Sequence, residues 1–188
     1  MKLNYEEMVP DGLEYAAFLD KYATDEQRQR WDRFYAQVTL TETQQELLKS
    51  FTREMYVFVL AGAWCGDCVN QCPIMAKFAE LNPNIKLFFF DRDDHADFSA
   101  DMTVCGGQRV PAVLFLNEDF QPCGRYGDRT ISKYRQMIAD MTGAACPTGL
   151  IHPEENLTRD VIADWLTEFE RNQYIMRTSP RLRKKHGD

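Results

Sequence analysis

The chain has no apolar run long enough to cross a bilayer. Its longest, Tyr56 to Cys65, is broken only by Gly62 and falls far short of a hydrocarbon core. A basic leader followed by an apolar stretch is also missing, since the chain opens Met1-Lys2-Leu3-Asn4-Tyr5-Glu6-Glu7. Export by that route is not expected; a cytosolic location with no membrane partner is. Positive charge is short as well. The 22 basic residues face 29 acidic ones, net −7, the wrong balance for a domain that binds nucleic acid. The histidines His95, His152 and His186 are scattered and lack metal-ligand spacing. No internal repeat is evident. Asp91-Arg92-Asp93-Asp94 lacks the pattern of an EF-hand loop and reads as a solvated strand end.

Apolar residues make up 44% of the 188 residues and charged residues 27%, enough for one core with a soluble skin, so global disorder is not expected. The six cysteines are Cys65, Cys68, Cys72, Cys105, Cys123 and Cys146. A disulfide framework does not persist in a reducing cytosol, where cysteines are catalytic, metal-bound or buried.

Residues 1–54 read as helical. Asp11 with Glu14, Thr24 with Gln27, and Thr41 with Gln44 are each spaced as capping boxes. The first predicts a short helix through Leu19. Behind the second, Trp31, Phe34, Tyr35 and Val38 fall on one helical face; behind the third, Leu47, Leu48 and Phe51 do. At Met55 the period changes. Met55–Ala61 is a short continuous apolar run, the pattern of a strand buried on both faces. A helix is predicted over Asp67–Leu81 with Ile74, Phe78 and Leu81 inward, kinked at Pro73. Ile85–Phe90 reads as a second strand and Ala96–Thr103 as a weaker helix. Gly106-Gly107 opens a loop ending at Val110-Pro111. Ala112–Leu116 and Cys123–Tyr126 form a predicted hairpin. Ser132–Met141 follows as a helix with Tyr134, Met137, Ile138 and Met141 as its stripe, ended by Gly143. Cys146-Pro147-Thr148-Gly149 is a loop. Val161, Ile162, Trp165, Leu166 and Phe169 mark a last amphipathic helix. The order is an α/β sandwich around a small mixed sheet.

Chemistry concentrates at Trp64-Cys65-Gly66-Asp67-Cys68, where a buried strand meets a helix. Two cysteines two residues apart at a helix start can close a short disulfide. The first faces free backbone N–H groups and the positive helix end, both of which favour a thiolate. A thiolate attacks disulfides, so Cys65 is the candidate nucleophile and Cys68, one turn on, the resolving thiol. Cys72 shares a helical face with Cys68 and reads as a small core residue, with a third redox thiol or a metal ligand as the sharper alternative. Cys105 reads as a loop residue. Cys123 and Cys146 lie in turns where nothing local recommends a pairing.

These residues resemble the thioredoxin family. Trp64 directly precedes the cysteine motif, Pro73 stands five residues after Cys68, and Arg109-Val110-Pro111 lies just before a strand, its proline 43 residues after Cys68, like that family's cis-proline loop. The resemblance spans Met55 to Gly143, 89 of the 188 residues. It implies a thioredoxin-like fold with a central mixed sheet of about four strands flanked by helices. Outside it lie an N-terminal helical extension (1–54), a C-terminal loop and helix (144–176) and a basic tail (177–188). The tail carries five basic residues and one acidic residue, net +4 against −11 for the remainder, and a disordered, solvated end is expected.

The resemblance also implies an activity, protein-disulfide reduction by dithiol–disulfide exchange through Cys65 and Cys68. Trp64, Val110 and Pro111 would shape the substrate groove, with Val110 pairing its backbone to a substrate peptide. Protein disulfides and an upstream thiol reductant are the implied partners; no organic cofactor or metal is required. Two features depart from the family. Val59 stands where many members carry a buried aspartate, and Gly66-Asp67 replaces Gly-Pro between the cysteines. The Asp67 charge should oppose thiolate formation and pull the couple nearer ~−270 mV than ~−120 mV. Two rivals stand beside this reading. One is a zinc or iron–sulfur site on Cys65, Cys68 and Cys72, with Cys105 as a further ligand. The other is a binding module of the same fold without turnover.

Overall fold

The computed structural model describes residues 3–142 and 154–188. Gly143 and the Cys146–Gly149 loop lie outside these residues. Two small helical segments begin the chain, α1 (Tyr5–Met8) and a 3-10 turn (Val9–Asp11). They are followed by α2 (Tyr15–Tyr22), α3 (Asp25–Gln37) and α4 (Glu42–Lys49). The capping boxes at Thr24/Gln27 and Thr41/Gln44 form as spaced: each threonine side chain accepts from the backbone N–H three residues on, and each glutamine returns the bond. Asp11 does not cap α2. The backbone of Leu13 instead pairs with Phe89 in an antiparallel bridge, and this excursion onto the sheet edge delays the helix to Tyr15, with Glu14 as an N-cap that makes no side-chain bond.

The sheet contains β1 (Met55–Ala61), β2 (Ile85–Asp91), β3 (Ala112–Asn117) and β4 (Pro122–Gly127), in the order β2-β1-β3-β4. β1 pairs parallel with β2 and antiparallel with β3; β3 pairs antiparallel with β4. β1 is therefore internal, which explains its unbroken apolar run. Between β1 and β2 lie α5 (Gly66–Val69) and α6 (Cys72–Leu81). The single kinked helix predicted over 67–81 is thus two helices. Pro73 does not bend a continuous rod; it sits in the first turn of α6, where a proline lacks no needed donor, and the break falls at Asn70-Gln71. Next come α7 (Ala96–Asp101), α8 (Ile131–Thr142), α9 (Glu154–Thr178) and α10 (Pro180–His186).

Alternation along the strands sends two sets of side chains to two faces. Val57, Phe89 and Phe115 share one face, where Phe169 of α9 packs edge-on between Phe115 and Phe78 of α6, each ring 5.2 Å away. Phe58, Phe88 and Phe90 share the other, met by Tyr5 and by Phe98 of α7. Helices therefore cover both faces, the mixed α/β architecture expected. The apolar stripe expected on α8 is not a core face. Ile138 and Met141 are exposed, and Tyr134 and Met137 are half-buried, whereas Ser132 is buried and its backbone N–H donates to the Asp164 carboxylate of α9. The strand end Asp91–Asp94 is less solvated than expected: Asp91 is buried, and its carboxylate accepts from the N–H groups of Asp93 and Asp94.

The basic tail is ordered, against expectation. Ser179 caps α10, Pro180 opens it, and Leu182 is buried. The acidic partner of the tail is the β3–β4 turn of its own chain: Lys185 lies 2.7 Å from Glu118 and 2.6 Å from Asp119, and Arg181 also meets Asp119. No helix among the described residues is long and apolar enough to cross a membrane.

Candidate active site

β1 ends at Ala61, and the chain turns through Gly62-Ala63-Trp64 into α5. Gly62 is required by close approach, since a Cβ there would lie 2.7 Å from the Trp64 ring. Cys65 is the N-cap of α5, in extended conformation, and half-buried. Trp64 is 45% exposed beside it, with the Arg92 guanidinium 4.5 Å above its ring. Cys68, one turn in, is fully buried. The Cys65 thiol donates to the Val110 carbonyl at 3.5 Å, so the loop before β3 reaches the nucleophile candidate directly. The Val110–Pro111 peptide is cis. Gly127, at φ 132°, backs this loop; any Cβ there would meet the Pro111 carbonyl oxygen at 2.4 Å. Trp64, Cys65, Val110 and Asp67 thus line one open cleft of about 270 Å³, together with Arg92, Arg109 and Arg129.

The electrostatics depart from expectation in two ways. The Cys65 thiol is held above the ordinary thiol range: its hydrogen bond with Cys68 and its burial raise it, and the backbone N–H groups of Cys68 and Asp67 offset them only in part. Burial likewise raises Cys68. The helix start alone does not make Cys65 a free thiolate. The second departure concerns Asp67. Its carboxylate is ion-paired 2.5 Å from Arg129, which also meets Asp128 at 2.9 Å, and Arg109 reaches Asp128 at 3.3 Å. Two aspartates and two arginines make a neutral cluster. Asp67 acts on Cys65 through its backbone N–H rather than as a bare negative charge.

Sequence reasoning missed this cluster and the polar hub behind it. Gln71, in the break between α5 and α6, is 2% exposed. Its amide donates to the carbonyls of Asp67 (3.2 Å) and Asp128 (3.0 Å), and its oxygen accepts from the Trp165 indole (3.1 Å). The Tyr134 hydroxyl donates to Asp128. Arg109 and the Asp128-Arg129 pair flank the two loops of the site, a charge pattern visible in the sequence; Gln71 carried no comparable signal. Val59 is fully buried within β1. No group of three metal-ligating side chains is brought together among the described residues, so the zinc or iron–sulfur alternative on Cys65, Cys68 and Cys72 is not supported; Cys105 is exposed on its own loop. Cys146 lies outside the described residues.

A half-exposed cysteine at a helix N-cap, a buried mate one turn on and a cis-proline loop against them define a dithiol protein of thioredoxin-like fold. The chain belongs to the thioredoxin family: the family model Thioredoxin_9, described as thioredoxin, matches residues 12–142. That membership supports a general thiol–disulfide oxidoreductase role. No curated protein matches. Among solved structures, the chain is similar to a protein of unknown function, PA1234, from Pseudomonas aeruginosa, with 22% identity, TM-score 0.70, and 90% of this chain and 98% of that one covered. An HIV epitope-scaffold is similar at 22% identity and TM-score 0.64, covering 89% and 99%. Mitochondrial thioredoxin 3 from Saccharomyces cerevisiae, in oxidised form, aligns at 22% identity and TM-score 0.35 over 57% of this chain and 98% of its own.

Proposed function

We propose that the protein reduces disulfides in partner proteins. Cys65 attacks a partner disulfide that enters the cleft between Trp64 and Val110, forming a mixed disulfide. Cys68 then attacks the Cys65 sulfur, which releases the reduced partner and leaves Cys65–Cys68 oxidised. The observation that carries this reading is the placement of two thiols one helical turn apart, one half-exposed at the mouth of the cleft and one fully buried behind it. The partner proteins and the upstream thiol reductant are cytosolic in this proposal, and no cofactor takes part.

The elevated thiol pair favours the disulfide over a stabilised thiolate, which supports a reducing couple near ~−270 mV even though the Asp67 charge is cancelled by Arg129. A measured potential above about −200 mV overturns that part of the proposal. Insulin-disulfide reduction tests the activity: turnover is expected in the native chain and none in Cys65→Ser. Cys68→Ser should accumulate partners as stable mixed disulfides on Cys65, which mass spectrometry can name. Native protein that leaves insulin intact while keeping both thiols free would refute the assignment.

A further inference from the structure

Three cations stand at the cleft, and they are not equally spent. Arg92 lies over the Trp64 ring and is ion-paired to Asp93 at 2.8 Å. Arg129 is held by two carboxylates, Asp67 at 2.5 Å and Asp128 at 2.9 Å. Arg109 differs. Its side chain is 46% exposed, and among the described residues it makes one contact, through a single terminal nitrogen 3.3 Å from Asp128. That carboxylate is already engaged: its side chain is 2% exposed, and it also accepts from Arg129 and from the Tyr134 hydroxyl. Arg109 therefore shares an acceptor, and most of the donors of its guanidinium fork stay unspent.

The chain places this charge next to the reacting sulfur. Arg109 immediately precedes Val110, whose carbonyl accepts from the Cys65 thiol, and its own backbone N–H is fixed to the Gly107 carbonyl at 2.9 Å. The cluster of two aspartates and two arginines is neutral but layered. Asp128 is turned inward and Arg109 outward, so the cleft meets the positive side. The body carries a net charge of −7, but charges more than about 8–10 Å away are largely screened in physiological salt. What touches Cys65 feels Arg109 first.

We infer that Arg109 selects disulfides lying in acidic stretches of partner proteins, by receiving an Asp or Glu carboxylate beside the attacked cysteine. The inference rests on the reductase reading and adds to it the class of substrate. The carboxylate takes the free guanidinium donors in a charge-assisted bond as the partner sulfur reaches Cys65. A lysine or arginine at the same place meets like charge.

Two measurements test it. In the first, pre-reduced protein is mixed with two cyclic disulfide peptides that are identical except for Glu or Gln beside the cysteines, and second-order rate constants of reduction are compared. The Glu peptide should react about three- to tenfold faster at low salt, and the preference should shrink as salt is added. Arg109→Gln should abolish the preference, Arg109→Lys should keep part of it, and Arg109→Glu should reverse it. The second measurement needs no turnover: Cys65 is alkylated with anionic iodoacetate or neutral iodoacetamide. The segment Glu54–Lys77, a single tryptic peptide, is then sequenced by mass spectrometry to read the label on Cys65. Both reagents attack the same thiolate, so their rate ratio cancels its ionised fraction. The iodoacetate-to-iodoacetamide ratio should be higher in the folded chain than in urea, and Arg109→Gln should lower it. Equal reduction of both peptides with an alkylation ratio indifferent to Arg109 overturns the inference and leaves the reductase reading standing. An Arg109-dependent alkylation ratio in protein that reduces neither peptide upholds the anion-selecting cleft and removes the reductase reading.

Discussion

Two tryptophans grip the dithiol from opposite ends of the chain, and they do so differently. Trp31 of α3 is fully buried, and its indole donates to the Ala63 carbonyl at 2.9 Å, two residues before Cys65. Trp165 of α9 is equally buried but does not touch the motif. It donates to Gln71, which in turn bonds the carbonyls of Asp67 and Asp128. The approach to Cys65 is thus held by one bond set in an aromatic nest of Tyr15, Phe18 and Phe89. The departure from Cys68 is held by a relay of buried polar groups. A single bond to backbone depends on few other side chains, whereas a satisfied buried network depends on every member.

The largest effects should come from removing either indole outright. Trp31→Ala and Trp165→Ala are each expected to cost about 3–5 kcal/mol in urea unfolding, the usual range for deleting a buried aromatic. If the two grips are separate, the double variant should be additive to within about 0.5 kcal/mol. A larger coupling would mean that both ends of the motif belong to one network and would break the comparison. Gln71→Leu comes next, at about 2–4 kcal/mol, because it strands the buried Trp165 N–H, the buried Asp128 carbonyl and the part-buried Asp67 carbonyl. Its effect should couple strongly to Trp165→Phe and not to Trp31→Phe. Trp31→Phe alone should cost about 1 kcal/mol, for the one acceptor left unpaired at Ala63.

How legible these features were follows from what a sequence pattern encodes. Burial is periodic, so Trp31, Trp165, Phe169 and the strand Met55–Ala61 could be placed on inward faces before any coordinates. The cysteine motif, Pro73 and Val110-Pro111 carried the resemblance that located the cleft. Polar networks have no period. Gln71 sits in a stretch that reads as continuous helix, and its role exists because that helix breaks there. The pairing of Asp67 is hidden from the sequence for a related reason. Arg129, which cancels its charge, lies 62 residues away and arrives only through the loop after β4. The ordered tail was missed because its acidic counterpart is a distant hairpin turn.

The smallest expected effect separates the relay from the nest by pH. Burial alone would raise the Asp128 carboxyl, but the bonds from Tyr134 and Arg109 and the charge of Arg129 outweigh it and hold the group below its ordinary range. A carboxylate lowered in the folded state stabilises the fold fully above its unfolded value, near 3.9, and that contribution fades as pH falls through the folded value. The relay should therefore weaken in acid below about pH 4, where the aromatic nest around Trp31, held mainly by apolar packing, has no carboxylate at its centre to lose. Asp128→Asn keeps the side-chain shape and removes the titration. Its stability should lie below wild type at pH 7, and the gap should narrow between about pH 4 and pH 2.5. A constant gap across that range would mean that Asp128 contributes by shape and not by charge, and the C-terminal grip would then be as indifferent to pH as the N-terminal one.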